Sequence, residues 1–320
     1  MSDSVLKYHL KFASTIEPHV IHAVIWSAAP LEKGTPAQVK GVVQLVHGMA
    51  EYIERYDEFA EYLVSQGYLV CGHDHIAHGQ SALSKHELGD IPADGGKEAL
   101  IEDVHLLRQI MADYITDETP YILFGHSMGS FVVRAYLARH GLGLAGAIVC
   151  GTGMQPYKVA KLGSKLAHRG AKRMGNSYKS KFLYNMADGS YAKKIEKAKT
   201  SLDWLSVNEE NVATYDADEY CGFMFTVGGY AALMDLLMEI AEPNCLPDTP
   251  HFMPLLLTAG LEDPVGENGA AVTELYKQMK AENLNVTLRL YPGMRHEILN
   301  ETNKQEVFQE LAQWIEGCVS

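Results

Sequence analysis

The chain has 320 residues, and its 47% hydrophobic and 9% aromatic content can build a buried core, which argues against overall disorder. The 27 Lys and Arg against 40 Asp and Glu give a net charge of −13, which repels a phosphate backbone and argues against a nucleic-acid binder. Five widely spaced cysteines without a C-x-x-C pair argue against a disulfide framework and a thiolate zinc site. No apolar run is long enough to span a bilayer, and the N-terminal segment lacks the features of a secretion signal. We therefore expect a cytoplasmic protein.

Short apolar runs alternate with amphipathic stretches along most of the chain. Residues 5–26 alternate loosely and predict the two strands of a hairpin. Further strands are predicted over 42–47, 68–74, 121–125, 144–151, 253–260 and 286–293, and helices over 56–67, 97–115, 130–141, 270–283 and 304–317. Because continuous apolar strands alternate with helices, the pattern predicts an α/β fold with a mostly parallel central sheet covered by helices on both faces.

One segment, residues 152–245, interrupts this alternation. Residues 151–200 hold twelve Lys and Arg against two acids, whereas residues 201–245 hold nine acids and no Lys or Arg. An insertion of distinct composition between two strands indicates a cap over the carboxyl edge of the sheet, where open α/β sheets bind ligands. We expect a core formed by 1–151 and 246–320, with 152–245 as an inserted helical cap.

The motif G-H-S-M-G at 125–129 places Ser127 between a predicted strand and a predicted helix. This is the context of a nucleophile elbow, in which a sharp turn lifts the serine hydroxyl clear of the backbone. Gly125 and Gly129 leave room for the close approach of neighbouring chain. The alternative is a glycine-rich structural turn.

A serine nucleophile needs a histidine base, and in such a fold the chain order is Ser, acid, His. The histidines that follow Ser127 are His140, His168, His251 and His296. His140 ends a predicted helix, His168 lies in the basic half of the insertion, and His251 precedes a strand. His296 follows the last predicted strand on a loop at the edge that carries Ser127, so it is the predicted base.

The acid that orients the histidine is expected on the loop after the strand over 253–260. Both Glu262 and Asp263 lie there. Asp263 precedes Pro264, which restricts it to an extended conformation. We predict Asp263, with Glu262 as the alternative.

Two backbone N–H groups complete the predicted site. The motif H-G-M at 47–49 follows a predicted strand, and an oxyanion hole in this context uses one N–H from that loop and one from the residue after the nucleophile. These are the amides of Met49 and Met128.

Several stretches together resemble one family. They are HGMAEYIERYDEFAEYLVSQGY, HDHIAHGQS, GHSMGS, WLSVNEENVATYDADEYCGFMFTVGGY, GLEDPVG and YPGMRHEILNE. The chain resembles the monoacylglycerol lipase and bacterial lysophospholipase group of α/β-hydrolases, also grouped with serine aminopeptidase-like hydrolases. The resemblance implies the α/β-hydrolase fold with a cap, and it places the triad on Ser127, Asp263 and His296 and the oxyanion amides on Met49 and Met128.

The chain departs from the family pattern at three points. Tyr52 stands where H-G-x-x-E-H has its second histidine, and Ile76-Ala77 stand where Arg-Gly usually precedes His78-Gly79. In the cap, Asp218-Glu219 stands where Asp-Pro is usual. None of these positions belongs to the triad, so they bear on the shape of the entrance and on the substrate.

Three further features each allow two interpretations. Phe223, Met224 and Phe225, with Met234 and Leu237 nearby, are predicted to line an acyl-chain pocket or to pack within the cap. The basic run 158–181 is expected to be a solvated helix face that pairs with the acidic half of the cap, the alternative being contact with an anionic lipid surface. The cluster of His73, His75 and His78 beside Asp74 could bind a metal, but the resemblance favours a structural loop pinned by hydrogen bonds.

These observations predict a serine ester hydrolase that needs no metal or organic cofactor. Its expected substrates are monoacylglycerols, lysophospholipids or similar single-chain esters. One alternative is an aminopeptidase or amidase of the same fold, in which Glu209, Glu210, Asp216, Asp218 and Glu219 would hold a free amine. The other is a non-catalytic ligand-binding protein on a hydrolase scaffold. The sequence contains no indication of an oligomeric state.

Overall fold

An eight-stranded sheet runs through the computed structural model, which describes residues 5–187 and 191–320. The strands are β1 (Leu6–Ala13), β2 (Val20–Ser27), β3 (Val42–Val46), β4 (Leu69–His73), β5 (Tyr121–His126), β6 (Gly146–Cys150), β7 (Leu255–Gly260) and β8 (Val286–Tyr291). Their order is β1-β2-β4-β3-β5-β6-β7-β8. The β1–β2 and β2–β4 pairs are antiparallel and the remaining pairs are parallel, so the carboxyl ends of β3 to β8 share one edge.

Helices cover both faces of this sheet. They are α1 (Asp57–Ser65), α2 (Gly96–Met111), α3 (Met128–His140), α4 (Tyr157–Met174), α5 (Lys181–Ala187), α6 (Glu209–Ala217), α7 (Val227–Ile240), α8 (Ala270–Ala281) and α9 (Lys304–Val319). Helices α1 and α9 pack on one face, where Phe59 contacts Phe124 and Phe308. Helices α2, α3 and α8 pack on the other face. The central strands β3 to β7 are buried throughout, which explains their continuous apolar sequences.

The predicted elements are confirmed, with ends that shift by one to four residues. The hairpin of β1 and β2 pairs Leu6 with Ser27 and Ala13 with Val20. Each predicted strand and each predicted helix of the core has its counterpart. The helix expected over 56–67 is preceded by a 3-10 turn at Ile53–Tyr56, because the loop after β3 must bend back onto the sheet.

The insertion between β6 and β7 carries helices α4 to α7. Residues 188–190, which include one of the two acids of its basic half, lie outside the described residues. Helix α4 packs along α7, and α7 also joins the core cluster through Tyr230, Leu236 and Ile240. The insertion is therefore continuous with the core, and the boundaries 152 and 245 stay a prediction. Among the described helices, none is long and apolar enough to cross a bilayer.

The expected pairing of the basic run 158–181 with the acidic half of the insertion is wrong for its Lys and Arg side chains. Among the described residues, none of them forms an ion pair with an acid of 201–245, although His168 of α4 contacts Asp235. Other acids pair with lysines outside the run: Glu209 with Lys199, Glu219 with Lys85, and Glu239 with Lys97. Charge counted by segment does not reveal which side chains can reach one another, and α4 turns its basic residues to solvent.

The histidines that follow β3 and β4 form a buried cluster pinned by hydrogen bonds, as the structural interpretation requires. His47 Nε2 accepts from the N–H of His75 at 2.9 Å, and His75 Nε2 lies 3.1 Å from the carbonyl of His47. The N–H of Ala50 donates to His78 Nε2 at 3.3 Å. Burial lowers the pKa of His47 to about 3 and that of His78 to about 4. No group of three or more His, Cys, Asp or Glu within residues 5–187 and 191–320 is arranged to hold a metal.

His73 has no hydrogen-bond partner for either ring nitrogen among the described residues. Burial and then the neighbouring His75 hold its pKa well below the usual value, with Asp74 acting in the opposite direction. The folded protein therefore keeps His73 neutral at a pH where the unfolded chain binds a proton, and its contribution to stability falls as the pH drops below about 6.5.

We expect His73→Leu to lose less stability on acidification than the wild type does. Between pH 7 and pH 5 the difference amounts to about 2 kcal/mol, because one proton is no longer taken up on unfolding. Urea denaturation at each pH measures it. His73→Phe, which keeps a ring without a titratable group, serves as the matched variant. If the free energy of unfolding of both variants changed with pH as it does in the wild type, the neutral state of His73 in the folded protein would be contradicted.

Candidate active site

The turn between β5 and α3 holds Ser127 in a strained conformation. Ser127 has φ 52° and ψ −120°, which is rare for any residue other than glycine, and its N–H donates to the carbonyl of Cys150 at 3.0 Å. A side chain at Gly129 would overlap the carbonyl oxygen of Val46, and one at Gly125 would overlap the carbonyl of Gly129. The two glycines therefore let the turn close against β3, as a nucleophile elbow requires.

The loops after β7 and β8 bring Asp263 and His296 together. Asp263 Oδ2 lies 2.9 Å from His296 Nδ1, and Asp263 also accepts from the N–H of Val265 at 2.9 Å. The two side chains are 0% and 2% exposed, whereas Glu262 is exposed to solvent, so the acid that His296 contacts is Asp263. Since a carboxylate accepts from Nδ1, Nε2 is left as the basic nitrogen.

The other candidate histidines lie apart from this pair. His140 contacts Glu102, His168 contacts Asp235, and His251 Nε2 contacts the carbonyl of Pro247. Only His296, of the histidines that follow Ser127, faces both an acid and the cavity that Ser127 lines.

A cavity of about 380 Å³ gathers the predicted site residues. Its lining includes Ser127, His296, Met49 and Met128, at the carboxyl edge of the sheet. Met128 is the first residue of α3, so its N–H has no acceptor within the helix and lies at the positive end of the helix dipole. A cavity of this size lies within the range of small-molecule sites. The arrangement brings together the residues predicted as the nucleophile, the base and the oxyanion donors, with Asp263 in contact with His296.

The family of this chain follows from its similarity to known proteins. A family model described as "Serine aminopeptidase, S33" matches residues 37–303. The chain belongs to this family of hydrolases. The predicted resemblance is thereby confirmed, as are the α/β-hydrolase fold and the class of enzyme, a serine hydrolase.

Relatives and solved structures agree with this membership. The chain is 29% identical over 280 residues to the monoacylglycerol lipase of Mycolicibacterium smegmatis, with 86% of this chain and 88% of that protein covered. It is 25% identical to the monoglyceride lipase of Mus musculus, with 93% and 89% covered. Its fold matches a thermostable carboxyl esterase from Bacillus coagulans, solved in complex with glycerol, with a TM-score of 0.88 and 29% identity over 99% of this chain and 100% of that chain.

The apolar wall of the hydrolase cavity differs in part from the prediction. Phe223 lines the cavity with Met234 and Leu237, but Met224 and Phe225 are not among the lining residues. Phe225 is fully buried against His78 and Tyr230 instead. The F-M-F run crosses from the cavity into the core, so its side chains cannot all face the same space. Phe131, Met154 and Leu202 contribute further apolar wall that the sequence did not reveal.

A segment of the cap is fixed to the loop that carries His296. The Trp204 ring lies against the His296 ring, with 5.0 Å between their centroids. Arg295 Nη1 donates to the carbonyl of Asp203 at 2.6 Å, and the N–H of Glu297 donates to the carbonyl of Leu205 at 2.7 Å. Trp204 therefore covers the His296 ring on its cap side. Its aromatic character was visible in the sequence, but its position was not.

A buried ionic cluster lies behind the site. Arg55 donates to Glu51 at 2.7 Å and to both carboxylate oxygens of Glu297 at 2.7 and 2.8 Å, and its guanidinium lies 4.8 Å from the Tyr215 ring centroid. Asn211 in the cap also donates to Glu297, at 2.7 Å. Burial alone would raise the pKa of Glu297, but the charge and hydrogen bonds of Arg55 hold it below its usual value. The cluster joins the loop after β3, the loop that carries His296 and the cap.

One departure from the family pattern, Tyr52, lies at a contact between the core and the cap. The Tyr52 hydroxyl donates to Asp218 at 2.8 Å, so the loop after β3 is fastened to the cap where a second histidine would otherwise stand. Burial and this hydrogen bond raise the pKa of Tyr52, which keeps the phenol protonated. The departure thus adds a link between core and cap.

We expect Gly129→Ala to destabilise the hydrolase by about 3 kcal/mol or to prevent folding, because the added methyl group meets the main chain of β3, which cannot move aside. Gly317→Ala is the matched control: nothing lies within 4 Å of its added carbon, and alanine favours a helix, so stability stays equal or rises slightly. Urea denaturation compares both. Equal stability for the two variants would contradict the close approach at Gly129.

Proposed function

We propose that this hydrolase cleaves single-chain acyl esters such as monoacylglycerols or lysophospholipids through an acyl-enzyme on Ser127. The main support is the cavity that Ser127 and His296 share, which is walled by apolar side chains of core and cap. Several relatives carry the names monoacylglycerol lipase or monoglyceride lipase, in agreement with such a substrate.

In the proposed reaction, Ser127 Oγ attacks the ester carbonyl while His296 Nε2 takes the hydroxyl proton. Asp263 holds the imidazole in the required tautomer and stabilises its charge. The amides of Met49 and Met128 bind the oxyanion. His296 then protonates the leaving alcohol, and a water molecule activated by the same base releases the fatty acid.

The apolar walls of the cavity favour an acyl chain. Phe131, Met154, Leu233, Met234 and Leu237 line the cavity from α3, the start of the insertion and α7. Apolar burial supplies roughly 0.8 kcal/mol for each methylene group, so longer single chains should bind better until the cavity is full.

The aminopeptidase alternative has little support from the cavity. The acids considered for holding a free amine, Glu209, Glu210, Asp216, Asp218 and Glu219, are not among the residues that line it. The carboxylates that do line it are Glu51 and Glu297, and both are bound to Arg55. A substrate amine would therefore find no uncommitted acid among the described lining residues.

We expect Ser127→Ala to abolish ester hydrolysis, with kcat reduced by a factor on the order of 10⁶. The assay uses p-nitrophenyl esters from acetate to palmitate and 1-monoacylglycerol, with a fluorophosphonate probe for the nucleophile. Ser65→Ala, which removes an exposed hydroxyl at the end of α1, is the matched control and should keep full activity.

Each outcome decides between the functions. Labelling that is lost in Ser127→Ala, with a preference for medium or long chains, supports the lipase. Turnover of aminoacyl naphthylamides but not of esters would establish the aminopeptidase. Tight ligand binding without labelling or turnover would establish the non-catalytic binding protein.

We also propose that the cap contacts an anionic lipid surface through α4. This helix buries small residues, Ala160, Ser164 and Ala167, against α7 and exposes Val159, Leu162 and Leu166, which is the reverse of a usual surface helix. Phe182 in α5 is also exposed, at 66%. The exposed basic side chains flank this apolar stripe, and they are Lys158, Lys161, Lys165, Arg169, Lys172 and Arg173. An apolar stripe bordered by unpaired cations matches an anionic interface.

We expect the triple variant Lys158→Glu, Lys165→Glu, Arg169→Glu to bind anionic vesicles of phosphatidylglycerol and phosphatidylcholine on the order of 100-fold more weakly than the wild type. Each basic residue near such a surface contributes about 1 kcal/mol. Lys11→Glu, Lys277→Glu, Lys280→Glu changes three exposed lysines outside the cap by the same total charge and is the control. Vesicle sedimentation at low salt measures both. Equal loss in the two variants would indicate a net-charge effect and refute a docking face on α4.

A further inference from the structure

His126 precedes Ser127 in the elbow, and its ring lies beneath the site with 4.7 Å between its centroid and that of His296. Its Nδ1 is 3.3 Å from Glu51 Oε1, and its Nε2 is 3.2 Å from the main-chain carbonyl oxygen of His296. The proposed mechanism gives this second buried histidine no role.

Glu51 is a carboxylate that only accepts at these atoms. Its Oε1 receives the N–H of Gly48 at 2.6 Å and the hydroxyl of Tyr56 at 2.8 Å, and its Oε2 receives Arg55 at 2.7 Å. If Glu51 were protonated, its proton would compete with these three donors for the same two oxygens, so Glu51 is ionised. A carboxylate facing Nδ1 and a carbonyl facing Nε2 require a donor at both ring nitrogens. Only the doubly protonated imidazolium supplies both.

We propose that His126 is a positioning residue held as an imidazolium between Glu51 and the carbonyl of His296, and that its charge fixes the backbone of the catalytic histidine. This inference rests on the proposed function, because it assigns His296 as the base. Through Glu51, the same cation is coupled to Gly48, the residue before Met49 in the oxyanion loop. The charge of His126 therefore connects the loop of His296 and the loop of Gly48 and Met49 to the turn that carries Ser127.

The groups that face His126 favour this charge on balance. The Glu51 carboxylate contacts His126, and the Glu297 carboxylate lies nearby, so both negative charges favour the imidazolium. The positive charge of Arg55, which binds both acids, disfavours it. Three further titratable neighbours are Tyr56, Cys150 and His296. Burial and Glu51 raise the pKa of Tyr56, so it stays a neutral phenol. Burial raises the pKa of the Cys150 thiol, so it stays neutral as well. Burial alone would lower the pKa of His126, but the Glu51 hydrogen bond and charge raise it above its usual value.

A small cavity behind the ring could serve proton exchange. It measures about 10 Å³, room for about one water molecule, and it is lined by His126, Glu51 and Glu297 on the inner side and by Glu58 and Asn300 toward solvent. The imidazolium is therefore able to titrate without unfolding of the site.

The consequence is a loss of activity on the alkaline side. A pKa raised in the folded state means that the stabilisation is present at low and neutral pH and is lost as the pH rises through the folded pKa. At a pH above this pKa, one ring nitrogen of His126 has no proton, so either the Glu51 carboxylate or the His296 carbonyl loses its hydrogen-bond donor. The loop that carries His296 then loses its fixed position, and small misplacements of a base lower kcat rather than substrate binding.

The direct test is NMR of the full chain labelled with ¹⁵N-histidine, with His126 assigned by through-bond transfer from its own backbone. At pH 6.5, where a free imidazole is about half protonated, we expect both ring nitrogens of His126 to be protonated and to lose a proton only at higher pH. A neutral tautomer of His126 at pH 6.5 would overturn the inference. This measurement uses the wild type and does not depend on the folding of a variant.

The kinetic test compares the wild type with His126→Gln, in which an amide can still donate to one acceptor but carries no charge. We expect kcat to fall about 10- to 100-fold with little change in KM, and the alkaline decline of kcat that we expect for the wild type to be absent. His251→Gln, an exposed histidine away from the cavity, is the control and should retain the wild-type profile. A wild-type alkaline decline in His126→Gln would overturn the positioning role.

Fluorophosphonate labelling separates this inference from the proposed function. If Ser127 of the wild type is labelled and active while His126 is neutral, the enzyme stands and the positioning role fails. If the wild type is neither labelled nor active while His126 is an imidazolium, the proposed function fails and the charge assignment at His126 alone is retained.

Discussion

The close approach of α3 to the end of β3 is the contact on which the site depends. Gly129 lies so near the carbonyl oxygens of Val46 and His47 that no side chain fits between them. This approach forces the turn at Ser127 into its strained conformation and brings the loop after β3 beside Ser127. The amides proposed to bind the oxyanion, those of Met49 and Met128, can only meet one substrate oxygen if these two loops touch. The strain at Ser127 is therefore balanced by the packing of a whole helix on the sheet.

The loop that carries His296 is held by contacts on several sides rather than by a regular element. Asp263 binds its side chain, His126 contacts its carbonyl, Arg55 binds the neighbouring Glu297, and Trp204 covers its ring. A loop with so many partners loses little further freedom when substrate binds, which would benefit the proposed role of His296 as the base. Burying Arg55 with two acids gains little net stability over an apolar core. Its value lies in the directions that its hydrogen bonds impose on the surrounding loops.

The sequence predicted what depends on local pattern. Continuous apolar runs marked the buried strands, the glycines marked the turn around Ser127, and the proline after Asp263 favoured the acid that contacts His296 in the structure. Contacts between distant segments were not predictable. The apolar F-M-F run shows that three side chains avoid water, but it does not show that only Phe223 reaches the cavity. The cluster of Glu51, Arg55 and Glu297 joins residues more than 240 positions apart, and no spacing rule connects them.

The two halves of the cap serve different physical demands, and their compositions follow from this. The later half supplies Trp204, Asn211 and Tyr215, whose contacts attach it to the loops of the site, so it acts as a wall of the core. The earlier half packs α4 on α7 through small residues, which leaves its large apolar and basic side chains facing outward. Small residues allow two helices to approach closely. The large apolar side chains of α4 therefore lie on its solvent-exposed face. If that surface meets lipid as proposed, the contacts of the later half with the loop of His296 are not involved, because they lie outside α4.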